Sequence, residues 1–439
     1  MAEVQPFRGI RYNPEIVPDL GEVTTPPYDV ISEAEQDTFH ARHPHNIIRL
    51  ILGKKEKGDS GASNPHTRAA ESFSRWLREG ALIRDREPGY YLTSVEFEHQ
   101  GRILSRFGLI ARVALEPFDR GIILPHEATF SAIKTERLGL MRQCHANFSP
   151  IFSLFPDPDG LMETLRAEAE GRLPVTGFMD GSGHRHRMWH LTDEAPCRRI
   201  RDALAHQKLF IADGHHRYET ALAYRDEVSR SEPGFSSEHP ANFIMMYLSS
   251  MKDPGLIVLP AHRLIRGVDR SRLMTFADHA STSFEIEDVA VDRGSADDIQ
   301  AALRPDEPGG CRIGLLMSGV KKLTVLTARP ETVRQRLAAT MPEVLASLDV
   351  SVLTHLIFPD LLGIAPEELD SVGRIRYTSR TAEAVAEVFD GRADAAFLLN
   401  PTRIDQVRRI AEEGLVMPRK TTYFAPKVIT GLVLNTLCP

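Results

Sequence analysis

Cysteine is scarce and unpaired in this chain. Four cysteines (Cys144, Cys197, Cys311 and Cys438) are scattered over 439 residues, with no Cys-x-x-Cys pair. Neither a disulfide framework nor a thiolate zinc site is expected, and a reducing cytoplasm fits. Long apolar runs are also missing. None approaches the roughly 18–20 residues of a membrane helix, so no membrane role is expected. The opening residues MAEVQPFRGI lack a basic segment followed by an apolar one, so no signal peptide is expected. Positive charge is in deficit, at a formal net −7. A sequence-independent nucleic-acid binder needs a positive field to displace counterions, so nucleic acid is not an expected partner. No internal repeat or long low-complexity tract is visible.

What is present is the composition of an ordinary globular protein, 42% hydrophobic and 26% charged. The length exceeds a single core and predicts two domains. The expected cut gives residues 1–265 and 266–439, with the boundary near Leu264–Val268. The pattern predicts an α/β (α+β) fold. Ser32 and Glu35 form a capping-box pair that opens a helix. Tyr90 to Glu98 and Ile103 to Leu115 read as two strands joined by His99-Gln100-Gly101, a β-hairpin. A polar helix is expected over Ala132 to Asn147. The second half alternates helix and strand.

The densest chemistry lies at Ala212-Asp213-Gly214-His215-His216-Arg217, between the apolar run Leu209–Ile211 and a helical run from Tyr218. Strand, tight glycine turn and helix start aim free N–H groups and a positive dipole at one point, which suits an anion. Gly214 lets the backbone approach phosphate. Arg217 can fork two phosphate oxygens. Asp213 is placed to be a base or a magnesium ligand. His215 and His216 can donate to phosphate or neutralise a transition state. The plain alternative is a capped helix with locally packed histidines.

Three other segments invite chemistry. In Pro125-His126-Glu127, Glu127 is a second carboxylate for the base or metal role; Lys134 and Arg137, three apart on a helix, can grip phosphate. Pro26-Pro27-Tyr28-Asp29, with Asn46 and Arg49, can form a polar substrate pocket, or an edge strand and helix cap. Lys420 to Lys427 carries two lysines that can reach phosphate, although a C-terminal strand docking on the core explains it as well. His184, His186 and His190 have no carboxylate at a matching spacing, so no metal is expected there.

The Asp-Gly-His-His-Arg turn resembles the signature loop of the ParB/sulfiredoxin superfamily, whose members bind a nucleotide with it. Further motifs are Pro-Pro-Tyr-Asp-Val-Ile-Ser (26–32), Asn-Ile-Ile-Arg-Leu (46–50), Pro-His-Glu-Ala-Thr (125–129), Ser-Pro-Ile-Phe (149–152), Leu-Pro-Ala-His-Arg (259–263) and Met-Pro-Arg-Lys-Thr-Thr-Tyr-Phe (417–424). Together they resemble the uncharacterised family numbered 1015 among domains of unknown function, nearly end to end. The turn is also similar to that of free L-serine kinases, which are smaller. By that likeness Asp213 is catalytic, and Gly214, His215, His216 and Arg217 hold phosphate.

The expected protein is therefore a cytoplasmic small-molecule kinase using ATP or ADP with Mg²⁺ on a hydroxyl substrate, L-serine first. Asp213, Glu127 and His216 are the expected catalytic residues, with Asp213 and Glu127 also holding the metal. Gly214, His215, Arg217, Lys134 and Arg137 are expected on the nucleotide, and Tyr28 and Asp29 on the substrate. Two rivals stay open: a nucleotide-hydrolysing ParB-like switch, and a hydrolase of a phosphorylated metabolite with His216 as nucleophile. A homodimer is compatible with all of these.

Overall fold

The computed structural model describes residues 1–129, 131–268, 270–305, 310–337, 339–363 and 374–438. The chain divides into two compact units, Met1–Ile257 with Pro426–Pro439, and Val258–Ala425. The expected second domain, 266–439, differs at both ends. The reason at the far end is hydrophobic. Ile429, Leu432, Val433, Leu434 and Leu437 are all buried, and each buried aliphatic side chain contributes about 1.5–3 kcal/mol. The backbone follows them. Thr430 and Thr25 exchange N–H···O bonds of 3.2 and 2.8 Å, and Leu434 and Ile10 exchange two of 2.9 Å.

Among the described residues of the first unit, nine strands form one sheet. In chain order they are β1 (Val4–Gln5), β2 (Tyr90–His99), β3 (Arg102–Ala114), β4 (Ile123–Leu124), β5 (Ile151–Phe155), β6 (Thr176–Met179), β7 (Arg185–Leu191), β8 (Leu209–Asp213) and β9 (Phe243–Ser250). The order across the sheet is β4-β8-β5-β9-β3-β2-β7-β6, with β1 also on β3. The expected hairpin is β2–β3, with Tyr91 opposite Ile110. Its turn places Gln100 and Gly101 at φ 51° and 73°, the left-handed pair that fits the strands' twist. Helix α1 (Glu33–Arg42) starts at the expected capping box: Ser32 N–H donates to Glu35 Oε2 at 2.8 Å. Helix α2 (Pro65–Arg78) buries Ala69, Phe73 and Trp76 on one face. Helices α3 (Ser131–Cys144) and α4 (His215–Ser231) complete what the site needs.

The second unit holds a six-stranded sheet. Its strands are β10 (His262–Ile265), β11 (Phe284–Ala290), β12 (Arg312–Met317), β13 (Lys322–Ala328), β14 (Ile375–Thr378) and β15 (Ala395–Leu398). The order is β11-β13-β12-β15-β10-β14, and every pair is antiparallel. Alternate residues feed two cores. Ile265, Ile313, Leu315, Ala395 and Phe397 pack into one; Leu264, Leu316, Leu323, Ala396 and Leu398 pack into the other. Helices therefore cover both faces of the sheet, which is why its strands carry apolar residues at consecutive positions. The whole chain is mixed α/β of the α+β kind. Among the described residues no helix is long and apolar enough to cross a membrane.

Candidate active site

Strand β8 buries Leu209, Phe210, Ile211 and Ala212, and ends at the half-buried Asp213. Gly214 follows at φ +101° and caps α4 without a side-chain hydrogen bond. That left-handed backbone suits glycine. A Cβ there would also stand 2.9 Å from Arg217 Nη2. Glycine offers the first turn no side-chain cap, and a helix start of this kind is where an anion is favoured.

Asp213 is held between two cations. Arg217 Nη2 donates to Asp213 Oδ2 at 2.6 Å, and Lys427 Nζ donates to Oδ1. Burial pushes the Asp213 carboxyl up, but Lys427 and then Arg217 outweigh it and hold it below the usual carboxylate range. Asp213 is thus ionised and engaged at both oxygens. Arg217 is also tied on its other side, Nη1 donating to the Pro150 carbonyl at 2.6 Å.

Behind the turn lies a pair of histidines. The His126 N–H donates to His215 Nε2 at 3.2 Å, and the rings meet edge to face at 4.7 Å and 88°. Because Nε2 accepts, a neutral His215 carries its proton on Nδ1. Burial pushes His126 down to about 4 and His215 well below the ordinary histidine value. Both rings are neutral at pH 7. His215, expected on phosphate, is only 4% exposed, and as a neutral ring it can act there as a hydrogen-bond donor and not as a cation. His216 is half-buried on the first turn of α4, where its carbonyl accepts from Thr220 Oγ1 at 2.7 Å.

Arg217 opens onto a cleft that it shares with Tyr28, Arg137, Asn147, Ser149 and Thr220. Arg137, on α3, lies 4.1 Å over the Tyr28 ring centre and donates to the Ile51 carbonyl at 2.8 Å. Glu136 neutralises it at Nη2, 2.5 Å away. Burial keeps the Tyr28 phenol protonated, as a donor. Three residues from separate segments of the sequence thus meet in one place.

Lys134 is not among the described lining residues; its Nζ pairs with Glu219 Oε2 at 2.5 Å, an oxygen that also accepts from Thr129 Oγ1 at 2.7 Å. The expected Lys134–Arg137 grip is therefore split, because an acid on α4 claims the lysine. Asp29 is exposed. Glu127 is half-buried, one residue beyond His126. Asn46 and Arg49 do structural work, donating to the carbonyls of Glu22 and His40, each at 2.7 Å. Lys427, noticed in the sequence only as part of a C-terminal segment, is the principal addition.

The histidine-rich hairpin differs from expectation too. Asp180 supplies the carboxylate that sequence spacing did not offer. Its Oδ2 meets His186 Nε2 at 2.8 Å and His184 Nδ1 at 3.4 Å, while Oδ1 accepts from the Ser182 and His184 N–H groups at 2.8 and 3.0 Å. Ligand atoms of the three residues lie within 4.8 Å of one another. His190 is elsewhere, stacked on Tyr91 at 4.6 Å.

A family model described as "Protein of unknown function (DUF1015)" matches residues 4–351. The chain belongs to the DUF1015 family. No curated protein matches it. Among solved structures, this DUF1015 chain is similar to a conserved hypothetical protein from Pyrococcus furiosus, with a TM-score of 0.33 and 12% identity, over 74% of this chain and 95% of that one. It is similar to a free serine kinase in complex with AMP, at 0.33 and 12%, over 74% and 92% of the two chains. It is similar as well to SbnI with a C-terminal truncation from Staphylococcus aureus, at 0.35 and 10%, over 73% and 86%.

Proposed function

We propose that the first unit is a ParB/sulfiredoxin-like nucleotide-binding domain. In this reading it binds ATP or ADP and transfers a phosphoryl group to a small hydroxyl metabolite, with L-serine the first acceptor to test. One observation carries the reading. The Asp213–Arg217–Lys427 cluster stands at an uncapped helix start, and its Arg217 lines a cleft with Arg137 and Tyr28. Phosphoryl transfer asks mainly for positioned cations and one base. Arg217 and Lys427 are those cations, and the N–H groups of α4 add to them.

The resting cluster also sets the order of events. A phosphate oxygen competes with Asp213 for Lys427. Once Lys427 turns to the phosphate, one Asp213 oxygen is released and its proton affinity rises. That oxygen takes the proton from the acceptor hydroxyl as the new O–P bond forms and the bond to the nucleoside leaving group breaks. In this reading His216 and Glu127 complete the catalytic set. Mg²⁺ does not fit Asp213 as the residue stands, since two cations at hydrogen-bond distance already neutralise it and repel a divalent ion.

Asp213→Asn separates the roles. Turnover should vanish while ADP affinity, read by calorimetry, is largely kept; equal turnover sinks the assignment. Arg217→Ala should weaken ADP, and an unchanged dissociation constant would remove Arg217 from the phosphate site.

A further inference from the structure

The second unit contains a cavity of about 420 Å³, room enough for a small organic molecule. The motifs Leu-Pro-Ala-His-Arg and Met-Pro-Arg-Lys both reach it. Arg263, on β10, and Arg419 line one side; Ser351 and Thr354 line it from the helical run that begins at Asp349.

Arg263 is 3% exposed. Its guanidinium donates to the carbonyls of Ala261, of Lys420 at 3.1 Å and of Arg419 at 3.4 Å. It also stands 5.4 Å from the Tyr377 ring centre. Among the described residues no carboxylate pairs with it. Three carbonyl contacts leave about two of a guanidinium's five N–H donors unused. A buried cation without a counter-ion is a costly arrangement, and burial alone pulls Arg263 down to about 10. The Ser351 hydroxyl is fully buried in the same wall and has no hydrogen-bond partner among the described residues. The rest of the lining is largely apolar, with Leu345, Phe358 and Met417.

We propose that this cavity binds a small organic anion. Its carboxylate or phosphate oxygens complete the bonding of Arg263 and Ser351, and its apolar body rests on Leu345, Phe358 and Met417. The site is carried wholly by residues of the second unit and does not depend on the nucleotide reading.

Calorimetry on the full-length protein tests it. The probes are phenyl phosphate and benzoate, which separate the two head groups, with benzyl alcohol as the neutral control. At least one anion should bind with a dissociation constant of about 1 mM or tighter, and benzyl alcohol should bind about tenfold or more weakly. Arg263→Met and Thr354→Phe should each weaken the anion about tenfold or more, while Arg217→Met leaves it unchanged. Thr354→Phe fills the cavity and spares the Arg263 carbonyl contacts, so it decides the matter if Arg263→Met fails to fold. The proposal falls if neither anion binds up to about 10 mM. It falls equally if binding survives Thr354→Phe, or if Arg217→Met is the variant that abolishes it.

Discussion

The Asp213 turn and the Arg263 cavity use the same residue types in opposite ways. At the turn, Arg217 and Lys427 have a carboxylate between them, and Ser149 Oγ meets Thr430 Oγ1 at 2.9 Å. In the cavity, among the described residues, Arg263 has carbonyls but no acid and the Ser351 hydroxyl has no hydrogen-bond partner. A ligand at the first place must exchange partners with groups that are already bonded. A ligand at the second adds partners to groups that lack them. Under the proposed function the first arrangement suits turnover, because an ion pair that opens and recloses can bind a phosphate and release it. The second favours retention.

The largest effect should come from breaking the satisfied cluster. Asp213→Asn is expected to cut turnover about a thousandfold. It should also lower unfolding free energy by about 3 kcal/mol, because two half-buried cations lose their counter-charge. Denaturant titration of the variant checks this; unchanged stability would mean that the ion pairs are not sustained in solution.

Acid should strike both units alike. His126 and His262 are each buried and pushed from 6.5 down to about 4. The unfolded chain then binds more protons below pH 6.5, so stability falls as pH drops from 6.5 to 4. The loss is about 3 kcal/mol for each histidine. Glu136, held down to about 2 from 4.5, works in the same direction but only below its ordinary value. Urea titrations from pH 7 to 4 in wild type and in His126→Gln read this directly. A flat profile above pH 4.5 would show that the folded rings take up protons at their ordinary value.

Lys427→Met should weaken ADP about thirtyfold, the worth of one charge-assisted contact of about 2 kcal/mol. No change would place Lys427 outside the phosphate site. The smallest effect has opposite signs in the two units. Ser149→Ala removes a made hydrogen bond and should cost about 1 kcal/mol. Ser351→Ala removes an unsatisfied hydroxyl and should be neutral or stabilising by up to about 1 kcal/mol. Equal costs for the two would erase the comparison.

Local rules explain what was legible in the sequence. The β8–Gly214–α4 turn, the β2–β3 hairpin and the Ser32 capping box are each written within a few residues, in periodicity and turn chemistry. Partners across the fold are not. Lys427 lies 214 positions from Asp213, and it arrives only because the apolar tail buries itself in the first unit. Lys134 and Arg137 share one helix, yet Glu219 takes the first and Glu136 the second. Asp180 meets His184 and His186 through a turn, not a helix, so helical spacing does not group the three. Sequence spacing fixed which side chains a turn presents; packing decided which charges they meet.

The most direct test of the nucleotide reading is phosphorus NMR of the purified protein with Mg²⁺ and ATP, then ADP, each with and without L-serine. A new phosphomonoester signal that needs both the acceptor and an intact Asp213 is the predicted result. Nucleotides that persist unchanged with acceptor present, or a phosphomonoester formed equally by Asp213→Asn, would contradict it.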